Sequence, residues 1–483
     1  MKINIIKRTL SFLIAGLLTL SLISCAGSDT SEDTQSGISG ETVSGSTETA
    51  QPEIPVKTDK QISDEAIAAI LESDFGGDNV IIVTSNDDTV LPEDTVNVVN
   101  RKRYERLNVL ENKFNFTFVR RELTDNAMYN GARNAYNSEL YYADLMYTSP
   151  SQLYRYQSNS MAANIGTLPF VMLDAPYFDK ASMEQASADG MIYAAIGESN
   201  MNADNLAGVF FNKEILAQLT DEDIYGRVYD KTWTLEYMTL LSKAAAYTDG
   251  IATGLRGTLT DLTADNFIDN IYFSANGHNV SAGSGMLPLY TPFDEAAQLC
   301  ADGVYDLMYN KNGFTRANNA RARFEAGESL FLVTSLSEKN DIAYDSFNWG
   351  ILPLPLYTEG GDYRTFKDNA LPVTVVLSST PDLTRSGILL EGVNAAMYGY
   401  VKEAYFDECM YEIVRDNDTL NMIDIIIDGA QASFAHMFGA GTANLDDCTY
   451  LAVRNTVKTA RNLEYYNNRG TQINELLTEE FDR

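Results

Sequence analysis

The chain has 483 residues, 67 of them acidic and 35 basic, for a net charge of -32. A surface this negative is repelled by phosphate backbones and anionic lipid, which argues against nucleic acid as a ligand and against electrostatic adhesion to a membrane. Two histidines far apart in sequence, His278 and His436, and four scattered cysteines supply neither a metal cluster nor a disulfide framework.

In chain order, Lys2, Lys7 and Arg8 form a basic start, and residues 9–23 form an apolar run too short and too poorly flanked for an ordinary membrane span. Residues 1–24 therefore read as an export signal. Leu22, Ile23, Ser24 and Cys25 resemble the bacterial lipobox, which implies cleavage before Cys25, a diacylglycerol on its sulfur and anchoring at the outer face of a membrane. The competing reading is a retained single span with a buried cysteine. Cleavage removes three bases and no acid, which takes the net charge from -32 to -35. Residues 26–60 are dominated by Ser, Thr, Gly, Glu and Asp, with almost nothing large and apolar before Ile54. Ordering them costs backbone entropy that no burial offsets, so 25–61 is predicted to be a lipidated cysteine and a disordered tether. Among Cys300, Cys409 and Cys448 at most one bridge can form, and the spacing leaves open which.

The body, roughly 420 residues, is too large for one comfortable core and implies two lobes. It opens with an amphipathic helix, SDEAIAAILES, and a β-branched buried strand, NVIIVTS. A helix over NVVNRKRYERLNVLENKF, a strand FNFTFVR, a helix near 123–138 and a strand ADLMYTS complete a βαβαβ beginning. That alternation predicts a mostly parallel sheet whose ligand groups come from loops at the strands' carboxyl ends. Strands follow at MIYAAIG and LAGVFFN, then helices at KEILAQL and TWTLEYMTLLSKAAAY, the latter capped by Thr234. Helical spacing recurs in DEAAQLCADGVYDLMY and NNARARFEAG, and strands in SLFLVTS, FNWGILPLPLY and VTVVLSS. One helical stretch is predicted over 384–406, with others near 417–427, 449–463 and INELLTEEF, and a turn at GAGTANLDD.

These segments, in this order, resemble the extracellular solute-binding lipoproteins of bacterial ABC importers, in particular the family 1-like group of sugar binders. The resemblance rests on LISC, NVVNRKRYERLNVLENKFNFTF, ADLMYTSP, LPFVMLDAPYFDK, DGMIYAAIG, GVFFNKEIL, KTWTLEYMTLLSKAA, RARFEAGESLFLVT and FNWGILPLP. It implies an α/β, two-lobed periplasmic-binding-protein-like fold (type II-like) with an interlobe ligand cleft and a hinge. Lobe 1 would comprise 62–202 and 352–428, lobe 2 203–351 and 429–483. It implies a monomer without cofactor that hands its solute to a permease.

A sugar offers apolar C–H faces and a rim of hydroxyls, so its site should combine aromatic rings with groups that donate and accept hydrogen bonds. Trp233, in the polar junction DKTWT, is the first aromatic candidate, with a core anchor as the competing reading, while Trp349 reads as core or hinge. Tyr177 and Phe178 are candidates for the cleft rim. Asp87 and Asp88 follow the first strand, Thr148 and Ser149 the third, and Ser274 and Asn276 stand in a loop of YFSANGHN. Arg101 and Arg103 read first as partners for the acidic surface. Neither a G-x-S-x-G elbow, nor H-E-x-x-H, nor a phosphate loop is present; a glycoside hydrolase, needing only two carboxylates, is not excluded by motif. Solute capture, most of all of a mono- or oligosaccharide, is the leading expectation. Peptide transport and a sensory or adhesive carbohydrate-binding role are the alternatives.

Overall fold

A computed structural model of the chain describes residues 57–70, 73–85, 92, 96–188, 190–246, 253–258, 273–275, 280–282, 305–308, 321–322, 324–342, 347–356, 358–366, 371–412, 416–432 and 437–438. Residues 58–483 form one compact unit. Helix α1 (Asp59–Ala69) starts where Thr58 and Gln61 cap each other's backbone reciprocally. Strand β1 (Asp78–Thr84) buries its last five residues in a row, the pattern of a parallel strand covered on both faces. Helix α2 (Val98–Phe114), capped by Asn97 and ended by Asn115 in the left-handed region, returns the chain to β2 (Phe116–Glu122). Helix α3 (Asp125–Asn137), capped by Thr124, leads to β3 (Leu145–Thr148). Strands β2 and β3 pair parallel to β1 on its two sides.

After α4 (Leu153–Ser158), α5 (Lys180–Gln185) and the short pair β4 (Ser187–Ala188) and β5 (Met191–Ile192), the chain crosses to a second sheet. MIYAAIG is therefore not one strand: after β5 it touches the first sheet through an isolated pairing of Ala195 with Thr374. The second sheet starts with β6 (Ala207–Asn212), followed by helices α6 (Lys213–Leu219), α7 (Ile224–Tyr229) and α8 (Leu235–Ala246). The Thr234 hydroxyl accepts the Tyr237 amide at 3.2 Å, so the expected cap of α8 is present. Strands β7 (Thr253–Thr258), β8 (Phe273–Ala275), β9 (Val280–Ala282), β10 (Tyr305–Met308), β11 (Ser329–Ser335) and β12 (Trp349–Leu352) follow, and β8 and β9 pair only with each other. Residues 305–308, inside a stretch with helical spacing, form the edge strand β10, because parallel pairing with β7 overrides local preference.

The chain then returns through β13 (Thr365–Phe366) to β14 (Val373–Val375), antiparallel to β3, and continues as α9 (Leu383–Met397), α10 (Tyr400–Glu412), α11 (Asn417–Asp428) and β15 (Ala430–Gln431). The sheet orders are β14-β3-β1-β2 and β10-β7-β11-β6-β12. The stretch 384–406 is two helices, because Gly399 takes φ +71° and its backbone lies against α1, where a Cβ would stand 2.9 Å from the Lys60 nitrogen.

Strand β6 splits its faces between two packing surfaces. Val209 and Phe211 join the apolar cluster that includes Trp233, Met238 and Phe331, while Phe210 joins Trp349, Ile351, Tyr405, Ile423 and Ile426. Helix α11 thus covers the second sheet, although a lobe boundary at 428 would assign it to the first. Helix α9 is buried from Ser386 to Met397 and serves as the spine of the first sheet's side. Its Glu391, 1 % exposed, accepts the Met172 amide at 2.9 Å and the Tyr177 hydroxyl, which straps residues 169–178 to the helix. Burial pushes that carboxyl's pKa up, and the two donors pull it back.

A Cβ at Gly387 would overlap the Pro169 carbonyl oxygen, a backbone atom that cannot rotate away. Helix propensity alone favours alanine over glycine by about 1 kcal/mol, but forced overlap in a packed core costs about 1–3 kcal/mol. Gly387→Ala is expected to lower the urea midpoint, a net loss of up to about 2 kcal/mol; a raised midpoint would show that the strap yields freely.

Candidate functional site

Strand order β3-β1-β2 makes the gap between β1 and β3 a switch point, where loops leaving neighbouring strands diverge and open a crevice. Thr84 and Ser85 end β1 there, buried, and their hydroxyls meet no hydrogen-bond partner among the described residues. Thr148 ends β3, fully buried beside Tyr156. Ser149, half-buried, donates its hydroxyl to Asp125 Oδ2 at 2.8 Å, and Asp125 opens α3 where β2 turns over. On the same rim the Arg155 guanidinium lies 3.7 Å from the centre of the Tyr129 ring and bonds Asn126 Oδ1 at 2.9 Å and Gln152 Oε1 at 2.7 Å. Hydroxyl, carboxylate, amide and guanidinium groups thus follow one another along the carboxyl edge. Such a row can both donate to and accept from a polyhydroxylated ligand. On the second sheet, β11 ends in Ser335, whose hydroxyl lies 2.6 Å from that of Ser337.

Among the described residues three crossovers run between the sheets. In the first, Asn200 Nδ2 donates to Pro372 O at 2.7 Å and Thr374 Oγ1 at 2.9 Å, while its Oδ1 accepts the Gly197 amide at 3.0 Å. Asn394 of α9 accepts the Ser199 amide at 3.0 Å, and the Tyr147 hydroxyl donates to Ser199 Oγ at 3.0 Å. In the second crossover, Trp233 Nε1 donates to Pro353 O at 2.8 Å, and Leu356 exchanges backbone bonds with Trp233 and Leu235. The third brings β15 beside β13 and donates the Ala432 amide to Ser182 Oγ at 2.8 Å. A cavity of about 540 Å³ lies where α5, α7 and the second and third crossovers meet, and another of about 170 Å³ lies between α2, the first crossover and α10.

Of the residues expected to bind, Thr148 and Ser149 stand at this edge. Trp233 does not: it is fully buried, its ring 5.8 Å from Phe331 and its N–H held by Pro353, so it anchors the second crossover. Tyr177 and Phe178 are buried as well, the former by its bond to Glu391, and neither forms a rim. Trp349 packs in the core 5.5 Å from Phe210. Arg103 is 2 % exposed and donates to Met201 O, a structural role rather than a surface ion pair. Ser274 belongs to strand β8, opposite Ser281, not to a loop. Asp87, Asp88, Asn276, Cys25, both histidines, Cys300 and Cys448 lie outside the described residues. Cys409 is a buried free thiol whose pKa burial pushes up to about 11. Asp125, Asn126 and Arg155 were not singled out from the sequence. Their signal was the polar run Thr124-Asp125-Asn126 between a predicted strand and a predicted helix, the place where a βα loop faces a ligand.

No protein-family model matches the chain, and no curated protein does. Solved structures do match. A cyclo/maltodextrin-binding protein complexed with maltotetraose aligns over 84% of this chain and 99% of its own, with TM-score 0.56 and 11% identity. The sugar-binding protein MalE of Xanthomonas citri aligns over 83% and 98%, with TM-score 0.56 and 10% identity. The maltose-binding periplasmic protein MalE of Listeria monocytogenes, in complex with maltose, aligns over 84% and 99%, with TM-score 0.54 and 12% identity. The fold is accordingly the two-lobed α/β fold of these binding proteins, the crossovers joining its two sheets. Among the described residues no helix is long and apolar enough to cross a membrane.

One titratable group at the first crossover is poorly housed. Glu198 lines the smaller cavity, and no hydrogen bond or ion pair joins its carboxylate to a described residue. Burial moves its pKa from an ordinary 4.5 to about 7, with Arg103 and Lys402 acting in the opposite direction and Asp59 and Asp428 adding to the rise. The folded form therefore holds this proton more tightly than the unfolded form, and stability contributed by Glu198 falls as pH rises from about 4.5 to about 7. Glu198→Gln is expected to flatten that part of a stability–pH curve and to make the protein more stable at pH 8. A curve of unchanged slope would mean that water solvates the carboxylate fully.

Proposed function

We propose that this chain is an extracellular solute-binding lipoprotein that captures a mono- or oligosaccharide and delivers it to the permease of an ABC importer. The observation that carries the reading is the likeness over more than four fifths of the chain to proteins whose structures hold maltotetraose or maltose. The chemistry of the carboxyl edge supports it. Hydroxyls of Thr84 and Ser85 without partners, and a carboxylate at Asp125 with only part of its lone pairs used, suit sugar hydroxyls better than an apolar or strongly charged solute.

In this reading residues 62–202, with β14 and α9, form one lobe. The second sheet with α11 forms the other, and solute bridges both. Closure is then driven by the tighter affinity of the closed form, and only to the extent of that difference. Asp87 and Asp88, by their place after β1, are proposed to join Ser149 and Asp125 at the solute, as are Ser274 and Asn276 from the other side. Cys25 carries the lipid, residues 26–57 act as tether, ending short of the expected residue 61 because Thr58 already caps α1, and the protein works at the outer face of the cell membrane. Capture requires no bond to be made or broken by the chain, and the matched proteins are binders rather than enzymes.

The test is a thermal-shift screen of residues 58–483 against maltose, maltotetraose and other oligosaccharides, with peptides and amino acids as controls. A ligand at 100 times its dissociation constant adds about 2.7 kcal/mol of apparent stability. A saturable shift with one saccharide class, the sugar recovered unchanged, is the expected result. A shift with peptides alone would overturn the cargo. Asp125→Ala, which removes a charged acceptor, is expected to weaken sugar affinity by about tenfold or more, since such bonds are worth about 1.5–3 kcal/mol. For the anchor, Cys25→Ser should leave the affinity intact and release the protein from membranes into the medium; retention of the variant in the membrane fraction would contradict lipidation.

A further inference from the structure

The cavity of about 540 Å³ at the second and third crossovers lies apart from the carboxyl edge of the first sheet, and nothing in the capture reading uses it. Its size falls within the range of small-molecule sites. Tyr229, at the end of α7, is 51 % exposed on its wall. The ring is nevertheless held in place, because Asn421 Nδ2 of α11 donates to its hydroxyl at 3.1 Å. A held, solvent-exposed aromatic ring is what the C–H surface of a sugar ring stacks on. Around it stand Lys231, Asp362, Tyr363, Arg364 and Asp428.

Their hydrogen-bonding capacity is only partly used. Lys231 pairs with Asp362 through Oδ1 at 2.9 Å, and Lys402 pairs with Asp428 through Oδ1 at 2.6 Å, which leaves an oxygen on each carboxylate for a hydroxyl donor. Arg364 is exposed, feels Asp362 electrostatically and makes no hydrogen bond among the described residues. Two cations and two carboxylates interleaved in one wall favour a neutral polar ligand over an ion of either sign. The protein's overall charge of -32 further disfavours an anion.

We propose that this cavity is a second saccharide site, a neutral sugar stacking on Tyr229 and hydrogen-bonding to Arg364, Asp362 and Asp428. Because α5 comes from the side of the first sheet, α7 from the second, and residues 362–364 and 428–431 are the crossovers themselves, a ligand here holds the hinge as well as itself. Occupancy of the hinge site and of the cleft are therefore coupled, and the coupling is reciprocal. The proposal shares with the capture reading only the class of ligand, and stands on its own wall of residues.

The experiment titrates the full-length protein, carrying Cys25→Ser for solubility, with maltose into the high millimolar range. Binding is followed by calorimetry and by hydrogen-exchange protection of peptides spanning 224–234 and 358–366. Tyr229→Ala and Arg364→Ala alter exposed side chains, so folding is retained. Asp125→Ala serves as the cleft variant. Two saturable phases are expected, the weaker protecting 224–234 and 358–366 and losing at least tenfold in affinity in Tyr229→Ala and in Arg364→Ala, while surviving Asp125→Ala. Survival of that phase when Asp125→Ala has no effect on any binding would sink the cleft assignment and leave the hinge site standing. Isotherms and exchange unchanged by both hinge variants, or maltose binding with no protection of these peptides, would overturn the hinge site. Loss of the weaker phase in Asp125→Ala alone would do so too.

Discussion

The constraint on which the rest of this structure leans is the satisfaction of two buried amides at the first crossover. Asn200 and Asn394 are 1 % and 0 % exposed, and a buried amide left unpaired costs on the order of 1–3 kcal/mol. Each therefore dictates where its partners stand. Asn200 fixes Gly197 against Pro372 and Thr374, so the crossover and β14 share one register; Asn394 fixes Ser199 to α9. A few residues later the chain enters β6, which pairs with both β11 and β12. The position of the second sheet is thus inherited from a hydrogen-bond network that belongs to the first.

The other two crossovers are held by weaker means. The second carries an ion pair, Lys231 with Asp362, whose side chains are 45% and 74% exposed, and such pairs contribute about 0–1 kcal/mol. Beyond it the attachment is backbone pairing at Leu356, Gly360 and Thr365, together with the buried Trp233. The crossovers thus differ in kind: buried amide hydrogen bonds hold the first, and an exposed ion pair with backbone pairing and Trp233 holds the second. The unpaired carboxylate of Glu198 sits at the first crossover, between Arg103 of α2 and Lys402 of α10. Lys402 is tied to α11 through Asp424 and Asp428, so the field at Glu198 depends on elements packed on both sheets.

The βαβαβ opening was legible because β1 is a run of buried β-branched residues and α2 and α3 carry polar caps at their starts. Short, continuous signals of that kind survive without tertiary context. What failed depended on long-range partners. Strand β10 takes its form from β7, and the break at Gly399 takes its reason from the proximity of α1, distant by several hundred positions in sequence. At the edge of the first sheet, Thr148 and Ser149 could be placed from their position after a strand. Asp125 stood in an equally placed polar run after a strand, but an acid in an acidic chain is set apart from its neighbours only once Ser149 is found 2.8 Å away. The aromatic candidates misled for a related reason: sequence shows a ring's supply, and burial is decided by what reaches its polar atom.

That last point sets the chemistry of the whole surface. Trp233 has one donor and no acceptor, and once Pro353 takes that donor the indole has no polar group left unmet, so it is buried at no hydrogen-bonding cost. Tyr177 is drawn in by Glu391 in the same way. Tyr229 differs because its hydroxyl meets Asn421 at the protein surface, so the polar end is satisfied there while the face stays in water. With both tryptophans committed to the core, what remains at the surface is tyrosine faces at the rims and hydroxyl and carboxylate groups at strand ends. These groups hydrogen-bond reversibly with water as well as with sugar. Such a surface can discriminate by the pattern of its donors and acceptors more than by apolar burial, and a ligand held in that way exchanges readily with water.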